Sequence, residues 1–188
     1  FRRVLFRSAG KTTLVNSLIK RDQPSTMERT RGIEITHSAI PNGGSFTFLD
    51  FAGQEDYHVS HSMFVFPEMA VFLVLADVSK GYDVYVKQFT YWLQYIRTQC
   101  PRNIVPSVVL VGTHAGENVT DQIKQSFANV FTTIKDKFNP HINFVVESIV
   151  LLDARSSDNA AIQSLRSELE TFRKAAIVSN PLAAPKIC

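Results

Sequence analysis

Ser8-Ala9-Gly10-Lys11-Thr12-Thr13 stands directly before an apolar stretch with helical spacing, and a small-residue turn ending in Gly-Lys-Thr is typical of a loop that binds nucleotide phosphates. In such a loop the backbone N–H groups around Gly10 hold the β-phosphate, Lys11 reaches the β- and γ-phosphates, and the Thr12 hydroxyl ligates Mg²⁺. The full pattern starts with a glycine at the position where this chain has Leu5. The same Gly-Lys-Thr could instead cap an ordinary helix, so other motifs have to distinguish the two interpretations.

The two ends of the chain differ from the middle. In Phe1-Arg2-Arg3-Val4-Leu5-Phe6-Arg7-Ser8, arginines interrupt the apolar residues of the strand that normally precedes a phosphate loop, and the string resembles translated sequencing-adaptor sequence. We therefore expect residues 1–8 to be a non-native or truncated lead-in, with native sequence from about Ala9, although Val4 to Phe6 could physically form the strand. Residues 177–188 contain a Pro- and Ala-rich stretch that predicts a linker towards a missing C-terminal domain.

Composition predicts a globular protein with one domain. The 188 residues, 45% of them hydrophobic and 20% charged, can bury a substantial core. A net charge of +3 without a long basic cluster gives no reason to expect nucleic acid as a partner, and no apolar run approaches the roughly 20 residues of a membrane span. Cys100 and Cys188 lie far apart and form no CxxC, so we expect inert thiols in a cytoplasmic protein.

Strand patterns of two kinds occur along the chain. Ile33 to Ile40 and Phe46 to Asp50 are joined by Pro41-Asn42-Gly43-Gly44, which predicts an antiparallel pair. Val71 to Asp77 and Val108 to Gly112 are continuously apolar, as expected for central parallel strands that are covered on both faces. A last strand is predicted over Phe144 to Leu152.

Helical patterns lie between these strands. A first helix is predicted over Thr12 to Lys20, and three further apolar stripes occur at helical spacing. The stripes are Val86, Phe89, Leu93 and Ile96; Ile123, Phe127, Val130, Ile134 and Phe138; and Ile162, Leu165, Leu169, Phe172 and Ala176. The alternation predicts an α/β fold: a doubly wound, mostly parallel sheet with one antiparallel strand and helices on both faces. Its ligand should lie at the carboxyl ends of the strands.

The third strand is followed by Asp50-Phe51-Ala52-Gly53-Gln54-Glu55, and a D-x-x-G motif has a specific use in phosphoryl-transfer proteins. Asp50 would hold Mg²⁺ through water, Gly53 would donate its N–H to the γ-phosphate, and Gln54 would orient the attacking water. An ordinary Asp-Gly turn after an edge strand is the alternative interpretation.

A candidate switch residue precedes this motif. Thr30 lies between Gly-Lys-Thr and D-x-x-G, where its hydroxyl and N–H could close on Mg²⁺ and the γ-phosphate. After the motif come His58 and His61, which are more often surface or packing groups than ligands.

These motifs together resemble the Roc domain, the Ras-like GTPase module of ROCO proteins. The resemblance rests on Gly10-Lys11-Thr12-Thr13-Leu14, Thr30-Arg31-Gly32-Ile33, Asp50 to Glu55 and Val111-Gly112-Thr113-His114, and it extends to about Ala176. It implies a P-loop NTPase fold over residues 9–176 that binds GTP or GDP with Mg²⁺. It also implies a multidomain parent protein, with leucine-rich repeats, a COR dimerisation domain and in some cases a protein kinase domain.

The motifs and the resemblance together give a set of candidate site residues. Catalytic roles fall to Lys11, Thr30 and Gln54, and Mg²⁺ ligation falls to Thr12, Thr30 and Asp50. The nucleotide-binding residues are Ala9, Gly10, Lys11, Thr12, Thr13, Gly53, Thr113, His114 and Ala154.

The base-binding residues depart from the family pattern. In the family an Asp two residues after Thr113-His114 accepts two hydrogen bonds from guanine, and this chain has Gly116 there. Glu117 is adjacent but in the wrong register. Asp153-Ala154-Arg155 occupies the place of the last base contact, with the Ala154 N–H available to a base oxygen, although a plain strand-to-helix turn fits this stretch equally well.

Two functions remain open from the sequence. The first is a GTP-binding switch with slow hydrolysis, and the second is a degenerate, nucleotide-poor module for scaffolding or dimerisation. A second aromatic stripe, Tyr85, Trp92 and Tyr95, belongs either to the core or to a homodimer or domain-docking surface.

Overall fold

The computed structural model describes residues 2–6, 10–19, 33–39, 45–51, 70–116, 120–155 and 160–179, and in these ranges the chain forms one sheet with helices on both faces. The strands are β1 (Arg2–Phe6), β2 (Ile33–Ala39), β3 (Ser45–Phe51), β4 (Ala70–Asp77), β5 (Ser107–Thr113), β6 (Asn143–Phe144) and β7 (Val150–Leu152). The helices are α1 (Lys11–Ile19), α2 (Tyr82–Gln99), α3 (Asp121–Phe138) and α4 (Ala160–Ser179), and a single 3₁₀ turn, Val78–Lys80, follows β4.

The sheet has the order β2-β3-β1-β4-β5-β6, and β7 also pairs with β5. Only β2 runs antiparallel to its neighbour, and each of the other described pairs is parallel. The predicted fold class is therefore confirmed. Arg2–Phe6 takes the central strand position, with Leu5 opposite Asp50 on one side and Phe6 opposite Val74 on the other.

The centre of the sheet is apolar on both faces because helices cover both. Along β4, alternate residues contact different layers, and side chains from Val71 to Ala76 are at most 1% exposed. Phe72 and Val74 belong to a cluster with α2 and α3, whereas Leu73 and Leu75 belong to a cluster with α1 and α4. Burying such a side chain stabilises the fold by about 1.5–3 kcal/mol, which explains the continuous apolar runs.

The aromatic stripe of α2 belongs mainly to the core. Tyr85 and Trp92 are 5% and 3% exposed and lie in the cluster beneath α2 and α3. Tyr95 is partly buried against the same cluster and makes an edge-to-face contact with Trp92 at 5.6 Å between ring centroids. The core interpretation of this stripe is confirmed for Tyr85 and Trp92.

One member of the predicted α3 stripe is not in the core. Ile123 is 38% exposed, whereas Val130, Ile134 and Phe138 are buried. Ile123 lies in the first turn of the helix, which Thr120 caps by accepting the Ile123 N–H. The stripe prediction is wrong at this position because α3 meets the sheet only further along its length.

The prediction of one strand over Phe144 to Leu152 is also wrong. Val150 is seven positions after Asn143, whereas their partners on β5, Ser107 and Val111, are only four positions apart. Three extra residues therefore bulge out of the sheet between β6 and β7. The Val145 N–H still donates to the Val108 carbonyl at 2.9 Å, so the departure follows that residue.

Two further sequence-based expectations concern cysteine and membrane insertion. Cys100 is buried, and burial raises the pKa of its thiol to about 11, which keeps it protonated and unreactive at neutral pH. Cys188 lies outside the described residues. Among the described helices, none combines the length and the apolar character that a membrane crossing requires.

Candidate nucleotide-binding site

The N-terminus of α1 lies at the carboxyl edge of the sheet, because Thr12 in its first turn contacts Asp50, which pairs with Leu5 near the end of β1. Gly10 has a φ of +76°, a conformation that glycine adopts without strain, and its carbonyl accepts the Leu14 N–H at 2.8 Å. The first N–H groups of a helix have no partner within the helix, and they carry partial positive charge. This end of α1 is therefore suited to an anion such as a phosphate.

Two oxygen-bearing side chains meet beside this turn. The Thr12 hydroxyl donates a hydrogen bond to Asp50 Oδ2 at 2.5 Å, and Asp50 is 3% exposed. The contact joins α1 to β3, the strand that lies next to β1 in the sheet. Hydroxyl and carboxylate oxygens are the kind of ligand that Mg²⁺ prefers, so the donor set fits that ion.

Lys11 and Thr13 complete this group on the first turn of α1. Lys11 is 7% exposed and Thr13 is 5% exposed, although both side chains are polar. A lysine so placed lies next to the N-terminal amides of α1 rather than in bulk solvent. Its charge would therefore act with little screening on an anion bound there.

The turn after β7 is hydrogen-bonded to α1. The Ser17 hydroxyl donates to the Ala154 carbonyl at 2.6 Å, and both residues are buried. A Cβ placed on Gly10 would lie 3.8 Å from the Ala154 Cβ, so the turn after β7 also approaches the turn before α1. The phosphate-binding and base-binding candidates thus belong to one continuous region.

The turn after β7 has internal order of its own. The Arg155 N–H donates to Asp153 Oδ1 at 3.0 Å, which closes the turn. From α4, Arg166 donates to the Ser17 carbonyl at 3.1 Å and to the Leu18 carbonyl, near the C-terminus of α1. A cation at that end of a helix stabilises its last carbonyl groups.

The carboxyl end of β5 carries the other base-side candidates. Thr113 is fully buried, and its hydroxyl donates to the Ala76 carbonyl of β4 at 3.3 Å. His114 follows with a φ of 58°, and its Nδ1 lies 3.1 Å from Thr113 Oγ1. The Thr113 hydroxyl therefore connects the end of β4 to the segment that begins at His114.

Asp77 is a polar group that the sequence analysis did not identify. Its Oδ1 accepts the Ser79 hydroxyl at 2.6 Å and the Ser79 N–H at 3.1 Å, and it lies 3.5 Å from His114 Nδ1. Burial by itself would raise the pKa of Asp77, but the Ser79 hydrogen bonds and the charges of His114 and Lys80 hold the pKa below its ordinary value. The only signal in the sequence is an acidic residue at the end of an apolar strand.

Two glycines shape the same edge in different ways. A Cβ on Gly112 would lie 2.7 Å from Leu151 Cδ2 and 2.8 Å from Val78 Cγ1, so β5 and β7 approach closely only because that side chain is missing. Gly116 has a φ of +75° and no heavy atom within 4 Å of a built Cβ. No carboxylate is present at the position where the family pattern has one.

The structure thus brings together most of the described candidates. Gly10, Lys11, Thr12, Thr13 and Asp50 lie around the N-terminus of α1, and Ala154 connects them to the base-side loops through Ser17. Thr113 and His114 lie at the carboxyl end of β5, which is parallel to β4 and β7 and pairs with both. Ala9, Thr30, Gly53 and Gln54 lie outside the described residues. Sequence reasoning missed Ser17 and Arg166, whose partners are distant in the chain.

Comparison with known proteins gives one family match. The family model described as "Ras of Complex, Roc, domain of DAPkinase" matches residues 7–116. That range includes Gly10 to Thr13 and Asp50, the candidates for the phosphates, and Thr113 and His114, the candidates for the base.

Two longer proteins are similar to the chain. It is 26% identical over 167 residues to the death-associated protein kinase dapk-1 of Caenorhabditis elegans, which covers 80% of this chain and 12% of that protein. It is 30% identical over 99 residues to the probable serine/threonine-protein kinase roco5 of Dictyostelium discoideum, which covers 48% of this chain and 3% of that protein. The chain therefore spans only a small part of these relatives.

A solved structure shares the fold. The RocCORdC structure of Methanosarcina barkeri Roco2, bound to GDP, has a TM-score of 0.63 at 20% sequence identity. The likeness covers 92% of this chain and 49% of that one.

Proposed function

The chain belongs to the Roc domain family, and from that premise we propose that it is a GTP-binding switch domain that hydrolyses GTP slowly with Mg²⁺. The observation that carries the proposal is the contact between the Thr12 hydroxyl and the buried Asp50 carboxylate, beside the N-terminus of α1. If Gly10-Lys11-Thr12 only capped a helix, no carboxylate from β3 would be required there. A phosphate site with its cation needs both groups.

Phosphate binding is supported by the first turn of α1. The first N–H groups of α1 have no partner within the helix, and Lys11 lies almost fully buried in the same turn. Together they provide oriented dipoles and one full positive charge for the β- and γ-phosphates. Thr13 and Ala9 would contribute backbone contacts on either side.

Thr12 and Asp50 would hold Mg²⁺, with Thr12 as a direct ligand and Asp50 acting through water. When bound, the ion neutralises charge on the phosphate oxygens. The close approach of the Thr12 hydroxyl and the Asp50 carboxylate supports this assignment because both oxygen donors already face one another.

Hydrolysis and switching depend on residues outside the described ranges. We assign Gln54 to orienting the attacking water and Gly53 to the γ-phosphate, on the strength of the D-x-x-G motif that begins at Asp50. Thr30 would close on the γ-phosphate and relax after its release. Lys11, Thr30 and Gln54 are the proposed catalytic residues.

Base recognition is proposed at the ends of β5 and β7. Thr113 and His114 would line the base, and the Ala154 N–H would donate to its oxygen, with Arg155 near the ring. The relative from Methanosarcina barkeri was solved with GDP, which favours a guanine nucleotide for this chain too. Gly116 provides no carboxylate for the guanine N–H groups, so we expect a weaker preference for guanine over adenine than a carboxylate would give.

The same glycine favours a second candidate function. Gly116 is exposed, and together with Leu5 in place of the first loop glycine it is compatible with a module that has lost nucleotide binding. Such a module would serve scaffolding or dimerisation inside a longer protein. The relatives are long kinases, so adjacent domains are proposed as partners under either function.

Titration of fluorescent GTP and ATP analogues into the chain with Mg²⁺ distinguishes the two functions. We expect saturable binding of the GTP analogue that is lost in Lys11→Ala and retained in Lys174→Ala, because Lys174 is exposed on α4. No saturable binding of either analogue would favour the scaffold. Equal binding by Lys11→Ala would place the nucleotide elsewhere and contradict the proposed site.

A further inference from the structure

A cavity of about 450 Å³ opens between α3, α4 and the chain that joins β6 to β7. None of its lining residues belongs to the proposed nucleotide site. Three of the lining residues belong to α3, five lie between positions 146 and 151, and four belong to α4. The cavity is therefore a separate feature of the fold.

The bulge between β6 and β7 explains why the space exists. The three extra residues carry the chain away from β5, so Val146 and Ser148 line the cavity instead of continuing the ladder. The two helices do not fill the gap because Ala128, Ala161 and Ser164 have small side chains. The volume thus follows from register and from side-chain size.

The lining is mostly apolar, with a few polar groups. Phe127, Val146, Val150 and Leu151 are half-buried at its wall, and they stay in contact with water unless something covers them. Ser148 and Ser164 provide two hydroxyl groups. Ligand pockets of about 300–1,000 Å³ with this composition typically take one small organic molecule.

The charges at the cavity argue against a charged ligand. Lys124 and Glu168 lie on opposite helices and have opposite signs. Lys124 is 3.1 Å from Asp121, which already offsets part of its charge. A ligand with a net charge would be attracted by one helix and repelled by the other.

We propose that this cavity binds an uncharged, mostly apolar small molecule with one hydroxyl or amide group. The apolar body contacts the side chains around Phe127 and Leu151, and the polar group bonds with Ser148 or Ser164. The site is independent of the nucleotide site and does not depend on nucleotide binding.

Binding of 2-naphthol to the full 188-residue chain without nucleotide tests the proposal. Saturation-transfer NMR and calorimetry should show one saturable site. Ala128→Phe and Ser164→Phe each place a ring in the cavity from an exposed helix position, so each should weaken binding at least about tenfold. Thr133→Phe, exposed on another side of α3, should change it less than about twofold.

Three outcomes would overturn the proposal. The first is no saturable binding up to the solubility of 2-naphthol. The second is binding as tight as that of the parent in both Ala128→Phe and Ser164→Phe, when both variants still unfold cooperatively. The third is another occupant. Sedimentation showing a dimer that Ser164→Phe converts to monomer would identify a second copy, and binding only after deletion of residues 180–188 would identify the chain's own C-terminal segment.

Discussion

The Ser17 hydroxyl donates a buried hydrogen bond to the Ala154 carbonyl, so a residue of the helix after the phosphate loop holds the turn that follows the last strand. The two residues are 137 positions apart in the chain. Because Ala154 also lies near Gly10, this bond fixes the distance between the two halves of the proposed nucleotide site.

Replacing Ser17 with alanine should therefore weaken both the fold and nucleotide binding. The Ala154 carbonyl would lose a buried donor, which costs about 1–3 kcal/mol of unfolding free energy. Urea denaturation and GDP titration measure the two effects. Ser167→Ala, at an exposed position on α4, is the control and should change neither by more than about 0.5 kcal/mol. Ser17→Ala with the stability and affinity of the parent would contradict the structural role of the bond.

Gly112→Ala tests the close approach of β5 and β7. The new methyl group would lie within 3 Å of Leu151 Cδ2 and Val78 Cγ1, and overpacking of this kind costs about 1–3 kcal/mol. Thermal and urea unfolding measure the loss. The double variant with Gly112→Ala and Leu151→Ala should lose less stability than the sum of the losses in the two single variants, because it lacks one of the clashing groups. Strict additivity would show that Leu151 does not restrict this position.

Asp77→Asn tests the polar cluster at the end of β4 through its pH dependence. The pKa of Asp77 in the folded chain lies below its ordinary value. Its charged form therefore stabilises the fold at pH values above the unfolded pKa, about 3.9, and this contribution is lost as the pH falls through the lower, folded pKa. We expect the parent to be more stable than Asp77→Asn at pH 6, with the difference disappearing at acid pH.

Unfolding at a series of pH values measures this difference. Asp121→Asn, which removes a carboxylate that is almost fully exposed, is the control and should change the free energy of unfolding by no more than about 0.5 kcal/mol. A constant difference between Asp77→Asn and the parent from pH 6 to acid pH would mean that the charge of Asp77 is not involved.

Gly116→Asp should increase the preference for guanine. Aspartate tolerates the positive φ at this position better than most residues, and its carboxylate would accept hydrogen bonds from the base. Each charged hydrogen bond contributes about 1.5–3 kcal/mol, so the ratio of GTP to ATP affinity should rise roughly ten- to a hundredfold. Competition titrations measure the ratio, with Gly116→Asn as an uncharged control. An unchanged ratio would mean that the base does not lie against this loop.

The sheet and the phosphate-side group could be predicted from sequence because both depend on local patterns. Continuous apolar runs such as Val71–Ala76 indicate strands with two covered faces. Parallel strands also place their carboxyl ends at one edge, so a Thr after Gly-Lys and an Asp at the end of a strand are expected to meet. Thr12 and Asp50 do lie in contact.

Features that depend on distant partners could not be predicted in this way. Val145, Val146 and Ile149 continue the apolar pattern of a strand, and only the register against β5 reveals the bulge. Ile123 has the right spacing for the core, but spacing does not show where a helix leaves the sheet. Nothing in the sequence distinguishes Ser17 from other polar residues, because its partner Ala154 lies 137 positions away along the chain.

The central claim is that Thr12 and Asp50 form part of a site for a nucleotide with Mg²⁺. Calorimetric titration of GDP into the chain, in Mg²⁺ and in EDTA, tests it most directly when Thr12→Ala is compared with Thr12→Ser. We expect one saturable site that binds GDP more tightly in Mg²⁺ for the parent and for Thr12→Ser, and a loss of that Mg²⁺ effect in Thr12→Ala. An absence of saturable binding, or the same Mg²⁺ effect in Thr12→Ala as in the parent, would contradict it.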